Sequence, residues 1–296
     1  MPVARRRRSA APLHSPATLS LSHSYSKAVR MKRRVRRGMS MLRGVSILSI
    51  AIGCSCGALV SAQRGAAPGR GGPPPTPKAQ AAFDITGQWV AVVNEDWRYR
   101  MTVAPKGDYA GVPLNPNGRR AADAWDPVRD ESAGEQCRAY GVAGLMRMPT
   151  RLRIAWIDDQ ALKIESDAGT QTRTLAFGAA RSQGGDWQGV SIASWDRSAA
   201  VIAGGFFPAG GGRGGSLKVV TTKMKPGYLR RNGVPYSADT VVTEYFDRFD
   251  VPNADSLLVV STEVVDPTYL AQPYWTSSHY KKQNDLTGWN PTPCAK

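Results

Sequence analysis

The stretch from Asp239 to Lys282, DTVVTEYFDRFDVPNADSLLVVSTEVVDPTYLAQPYWTSSHYKK, decides the fold. Side chains along a strand alternate between faces, so residues of one parity share one face. From Val241 to Phe249 one face takes Val241, Thr243, Tyr245, Asp247 and Phe249. The other takes Val242, Glu244, Phe246 and Arg248. Neither face is purely apolar, which fits a barrel or sandwich strand that keeps one polar group among its inward residues. Asp250 to Asp255 then supplies Pro252 and Asn253 for a turn. Leu257 to Val265 alternates again, until Asp266-Pro267 stops it, because proline brings no N–H to a sheet ladder. Tyr274 to Lys282 reads as a last strand with Trp275, Ser277 and His279 on one parity. Three long alternating runs separated by turn residues predict an antiparallel β sheet.

Working outward, the same period returns upstream. Trp89, Ala91 and Val93 alternate after Gly87. Past the turn Asn94-Glu95-Asp96, Trp97, Tyr99, Met101 and Val103 alternate with Arg98, Arg100 and Thr102, the pattern of a hairpin with one wet face. Pro105 to Met148 breaks the period. Short helices are predicted over Arg119–Trp125 and Asp130–Tyr140, in an insertion long enough to cover a barrel mouth. Its Asp126, Asp130, Glu131 and Glu135 read either as solvated loop charges or as a metal or acid–base cluster. A three-stranded meander follows, through Leu152, Ile154 and Trp156, then Leu162 and Ile164, then Thr170 to Phe177. Trp187, Gly189, Ser191, Ala193 and Trp195 share a parity in the next strand, where small residues between tryptophans either pack a core or leave a pocket wall. Leu217 to Met224 adds another strand. The glycine-rich Gly204–Gly215 reads as a mobile loop and lacks the Lys-Ser/Thr of a phosphate loop.

The charge of +16 is misleading on its own. Residues 1–62 hold twelve of the 39 basic residues and no acidic one. A basic stretch, the short apolar run Val45–Val60 and small residues up to Ala62 predict a secretory signal peptide cleaved after Ala62. Met31, Met39 and Met41 are better-placed starts than Met1, so the first thirty residues read as an upstream extension. The apolar run is short for a membrane span, and no stable span is expected after cleavage. Residues 63–82, rich in Gly, Pro and Ala, read as a disordered linker, and 83–296 as a single β domain. With the leader removed, the balance of charge is ordinary and gives no reason to expect nucleic acid. Two cysteines remain, Cys137 and Cys294, and an exported chain favours joining them. One histidine remains, His279, so multi-histidine zinc sites are excluded and neither a metal nor a cofactor is expected.

Ile85-Thr86-Gly87-Gln88-Trp89 resembles the Gly-x-Trp entry of lipocalins and calycins, which implies a barrel that encloses a small apolar molecule. The leader and linker, Thr243-Glu244-Tyr245-Phe246, Asp266-Pro267-x-Tyr269 and Gln272-Pro273-Tyr274-Trp275 resemble a group of uncharacterised exported bacterial β proteins. That second resemblance covers mainly the last sixty residues and implies location and fold class only. The fold expectation is therefore all-β: a lipocalin-like antiparallel barrel, or a strongly curved meander sheet, with a partly helical insertion. The leading functional expectation is a periplasmic or extracellular protein that binds a small apolar or amphipathic ligand against Trp97, Tyr99, Trp156, Trp195, Tyr245 and Trp275. The rival is a cofactor-free hydratase, isomerase or hydrolase using His279 with Glu244 or Glu263, which requires them to face one cavity. A third reading is a structural or interaction protein of the envelope.

Overall fold

The computed structural model describes residues 73–196, 215–252 and 255–295. The expected signal peptide, the linker as far as residue 72 and the glycine-rich stretch as far as residue 214 lie outside them.

Nine strands close into a barrel. In chain order they begin with β1 (Gly87–Val92), β2 (Arg151–Asp158), β3 (Ala161–Ser166), β4 (Gln171–Phe177), β5 (Val190–Asp196) and β6 (Ser216–Thr222). A separate hairpin follows, β7 (Gly227–Arg230) with β8 (Val234–Tyr236). β9 (Val241–Asp250), β10 (Ser256–Val265) and β11 (Tyr274–Gln283) complete the ring, and β11 pairs back onto β1. Around the ring the strands follow chain order, with the hairpin looped out between β6 and β9. Every neighbouring pair is antiparallel except β4 and β5. The parallel step follows from the count, since an odd number of strands cannot alternate direction all the way round a closed ring.

The sheet is thus closed, not merely curved. It is not the lipocalin arrangement, which has eight up-and-down strands. This barrel has nine, one parallel pair, and its helices inserted between the first two strands.

The deciding stretch forms as its alternation requires. Val242, Glu244 and Phe246 of β9, and Leu258, Val260, Thr262 and Val264 of β10, are buried, while their alternating partners are mostly half-buried. The interior is packed with side chains: Trp89, Leu152, Ile154, Leu162, Ile164, Leu175, Val219, Phe246, Val260 and Tyr280 share one cluster. The Gly87-x-Trp89 tryptophan is fully buried in it and donates through Nε1 to the Ile85 carbonyl at 2.9 Å.

The expected strand over Trp97–Val103 is a helix instead, α1 (Trp97–Met101). Five alternating residues fit either period. Asp96 just before them adopts a left-handed conformation, φ 49°, which breaks the extension. The turn then carries Arg100 inward to Glu95 and Tyr99 to Asp108.

The insertion folds as α2 (Pro116–Asp123), α3 (Pro127–Ser132), a 3-10 segment (Gln136–Tyr140) and α4 (Val142–Leu145). Asn115 and Asp126 cap α2 and α3 by accepting backbone N–H bonds, and a proline follows each as the first helical residue. With the β7–β8 hairpin these elements cover one end of the barrel, where Ala122, Val142, Leu229 and Tyr236 pack against Val242 and Val264. Cys137 and Cys294 are joined in a disulfide that ties the 3-10 segment to the C-terminal segment.

Candidate functional site

Three places in the fold carry chemistry. The first lies inside the barrel. Glu244, fully buried, accepts both ends of the Arg173 guanidinium, at 3.1 Å and 2.6 Å. Arg173 also donates to Ser191 and Thr221, which contact each other at 2.8 Å. A buried ion pair holds only when its charges are hydrogen-bonded, and here both carboxylate oxygens and both terminal guanidinium nitrogens are, while Arg173 Nε has no partner among the described residues. Both side chains are almost fully buried, and the pair links β4 to β9 across the lumen. Glu244 is therefore placed as a structural acceptor.

The second place is the barrel end opposite the insertion. Register sets it: Trp195 lies across from Leu217, and Leu217 from Phe246, whereas Ser191, Thr221 and Val242 run toward the capped end. Inward residues at the ends of β2, β4 and β5 meet there. Phe177 is stacked between Trp156 and Trp195, with ring centroids 5.6 Å and 5.8 Å apart. Phe83 meets Trp195 edge-on at 5.6 Å. The segment expected to be a disordered linker reaches this end: Pro77 accepts from Trp195 Nε1 at 2.8 Å, and Lys78 N donates to the Asp159 carbonyl at 3.2 Å. A wide, open depression of about 650 Å³ lies against Phe177, Ala193, Trp195, Pro77 and Gln160.

The third place is on the outside of the wall. His279 of β11 points outward, with Nδ1 2.9 Å from Asn94 Oδ1 and 3.1 Å from Glu95 Oε2. Both neighbours are acceptors, so Nδ1 carries the proton, and in the neutral ring Nε2 is left as the base. Ser277 Oγ lies 3.5 Å from that Nε2. Glu95 is in turn held by Arg100 at 2.5 Å and Arg147 at 3.1 Å, and Arg147 also pairs with Asp96 at 2.6 Å. A hydroxyl, an imidazole and a carboxylate stand in the order that nucleophilic catalysis uses. The hydroxyl–imidazole distance is longer than a working hydrogen bond.

The remaining expected residues are scattered. His279 and Glu244 face opposite sides of the barrel wall, and Glu263 sits on the outer face across from Trp275 and Thr243. None of these carboxylates is brought to His279; its partner is Glu95. Of the six aromatic residues expected to line a ligand wall, only Trp156 and Trp195 pack against the barrel core. Trp97 and Trp275 are surface residues, 65% and 56% exposed. Tyr99 lies between the guanidinium groups of Arg98 and Arg230, and Tyr245 faces outward beneath Lys218. Three of the insertion's acidic residues hold the insertion itself together: Asp126 caps α3, Asp130 and Glu135 share Arg138, Asp130 also takes Tyr228, and Glu135 also takes Lys225. Lys225 and Arg138 hold the Glu135 carboxyl below its usual range. Among the described residues, no group of three or more His, Cys, Asp or Glu is arranged to hold a metal.

Sequence reasoning missed Phe83, Phe177, Glu95, Arg147 and Ser277 as members of these places. Phe177 was readable, because it shares a parity with Leu175 at the end of a predicted strand. No protein-family model, curated protein or solved structure matches this chain.

Proposed function

We propose that the chain is an exported binding protein that takes a small apolar or amphipathic molecule against the open barrel end. The observation that carries this reading is the Trp156–Phe177–Trp195 stack bordering an open depression. Aromatic faces at a partly solvated mouth bind flat or apolar molecules by burial and stacking. The packed lumen moves the expected ligand from the inside of the barrel to its rim. Export is supported by the leader-like composition of residues 1–62 and by the disulfide, which belongs in an oxidising compartment. Among the described residues no helix is long and apolar enough to cross a membrane.

The test is tryptophan emission of the purified protein titrated with lipids, quinones and sterols, alongside Trp195→Ala. A saturable change that Trp195→Ala removes supports the reading. Silence across the panel, together with a bare mass for protein taken gently from its host's envelope, sinks it.

A second reading rests on Ser277, His279 and Glu95: a cofactor-free hydrolase in which His279 Nε2 takes the Ser277 proton and Glu95 holds the ring. Ester hydrolysis that disappears in Ser277→Ala and in His279→Gln would establish it. Equal rates in wild type and both variants would remove it.

A further inference from the structure

A small pocket of about 20 Å³ lies outside the barrel wall, between α1, α4 and the β7–β8 hairpin. Four arginines line it, Arg100, Arg147, Arg230 and Arg231, together with Tyr99 and Tyr274. Among the described residues no carboxylate lines it. Four cations around so small a volume repel one another unless an anion stands between them.

The partners of these arginines leave positive charge over. Arg147 and Arg100 share Glu95, and Arg147 also holds Asp96. Arg230 donates to the Ala110 carbonyl at 2.8 Å and to the Tyr274 hydroxyl at 3.4 Å. Arg231 donates to the Arg100 carbonyl at 3.4 Å. All three of those acceptors are neutral. The Arg100 side chain is only 1% exposed. Its Nε is used by the Arg147 carbonyl at 2.8 Å and its Nη1 by Glu95, yet its Nη2 is buried with no hydrogen-bond partner among the described residues. An unpaired N–H on a buried guanidinium is costly, and such groups are nearly always satisfied. Burial and the neighbouring Arg147 both hold the Arg100 guanidinium below its usual range, the direction a missing counter-charge produces.

We propose that this pocket is a binding site for a small oxyanion, a carboxylate or phosphate group, held between Arg100, Arg147 and Arg231. Guanidinium groups suit either, because the planar fork of N–H donors matches two oxygens at once. The volume takes little more than one water-sized atom, so one oxygen of the anion would enter the pocket and the remainder of the ligand would lie outside over Tyr99 and Arg230. The site is separate from the aromatic barrel end and does not depend on it.

Isothermal titration of the protein as purified from its host would use inorganic phosphate and acetate, with chloride at matched ionic strength as the control. Arg231→Gln is the informative variant, because Arg231 is half-buried and forms no ion pair among the described residues that the change would break. Arg100→Lys would risk the fold. Saturable binding of phosphate or acetate above the chloride control, weakened about tenfold or more in Arg231→Gln, supports the site. The tighter of the two names the ligand class. Trp195→Ala should leave this affinity unchanged, which keeps the test apart from that of the barrel end. No saturation by either anion up to about 10 mM, or an Arg231→Gln affinity equal to wild type, overturns it.

Discussion

At the scale of single residues, the strongest commitment of the chain is the Arg173–Glu244 pair inside the barrel. Removing one partner strands the other's charge in a core without water. Glu244→Ala is expected to lose about 3–5 kcal/mol, read from the urea midpoint. The double variant Arg173→Met, Glu244→Met restores apolar contacts and should recover most of that loss. A double variant as unstable as the single one would mean that shape, not charge, sets the cost. Tyrosines give a second expectation at this scale. Burial pushes the Tyr280 and Tyr236 hydroxyls well above the ordinary tyrosine range. Above about pH 10 the unfolded chain releases these protons while the native protein keeps them. The unfolded state then binds fewer protons, so stability falls as pH rises through the alkaline range, by about 1.4 kcal/mol per pH unit per tyrosine. Absorbance at the phenolate band should show these two residues ionising together with unfolding; ionisation well before unfolding would contradict their burial.

At the scale of elements, two connections decide whether the barrel ends are made correctly. The β7–β8 turn carries Gly233 at φ +81°, and a Cβ there would lie 2.1 Å from the Trp125 side chain. Gly233→Ala is therefore strained twice, in backbone and in packing, and should cost roughly 2–4 kcal/mol by thermal or urea melting. A neutral result would mean that the hairpin moves freely away from Trp125. The β10–β11 connection rests on buried Asp266, which accepts from Ser237 N and Oγ, Thr240 Oγ1, Thr268 N and Tyr269 N. Asp266→Ala would orphan several of these donors at once. These elements also mark what could be read from sequence. The ten-residue strands β9, β10 and β11 were legible, because that many alternating residues leave no second period to choose. The helical character of the insertion was legible, but its bounds were not: helices were expected over Arg119–Trp125 and Asp130–Tyr140, whereas the Asn115-Pro116 and Asp126-Pro127 steps start α2 and α3 a few residues earlier. The α1 helix was not, since its five residues fit both periods and the decision lies with Arg100 and Asp96. The β7–β8 hairpin was not either, being two very short strands joined through Asn232-Gly233. At the candidate sites, His279 and Ser277 were visible as a shared parity. Glu95 stands 184 positions away from His279, and only the closing of β11 onto β1 brings them together.

At the scale of the whole molecule, the barrel is closed by its own ladders and the disulfide lies outside them. β1 is hydrogen-bonded to both β2 and β11, so the ring needs no covalent link. Cys137–Cys294 instead joins the covering insertion to the C-terminal segment across 157 positions. That segment is also held by Thr292 N on the Asp167 carbonyl at 2.9 Å, and by Ala295 N on the Tyr140 hydroxyl at 2.9 Å. For a loop of this length, the loss of unfolded-state freedom is worth about 5 kcal/mol in the chain-entropy description. Reduction, or the pair Cys137→Ser and Cys294→Ser, should therefore lower Tm by on the order of 10 °C. Because the ladders are untouched, the far-ultraviolet dichroism of the reduced protein at 25 °C should match that of the oxidised one. Hydrogen exchange should quicken in residues 136–148 and 289–295 and stay slow in β10. Loss of β10 protection on reduction would show that the insertion and its staple, rather than the strand ladders, hold the barrel closed.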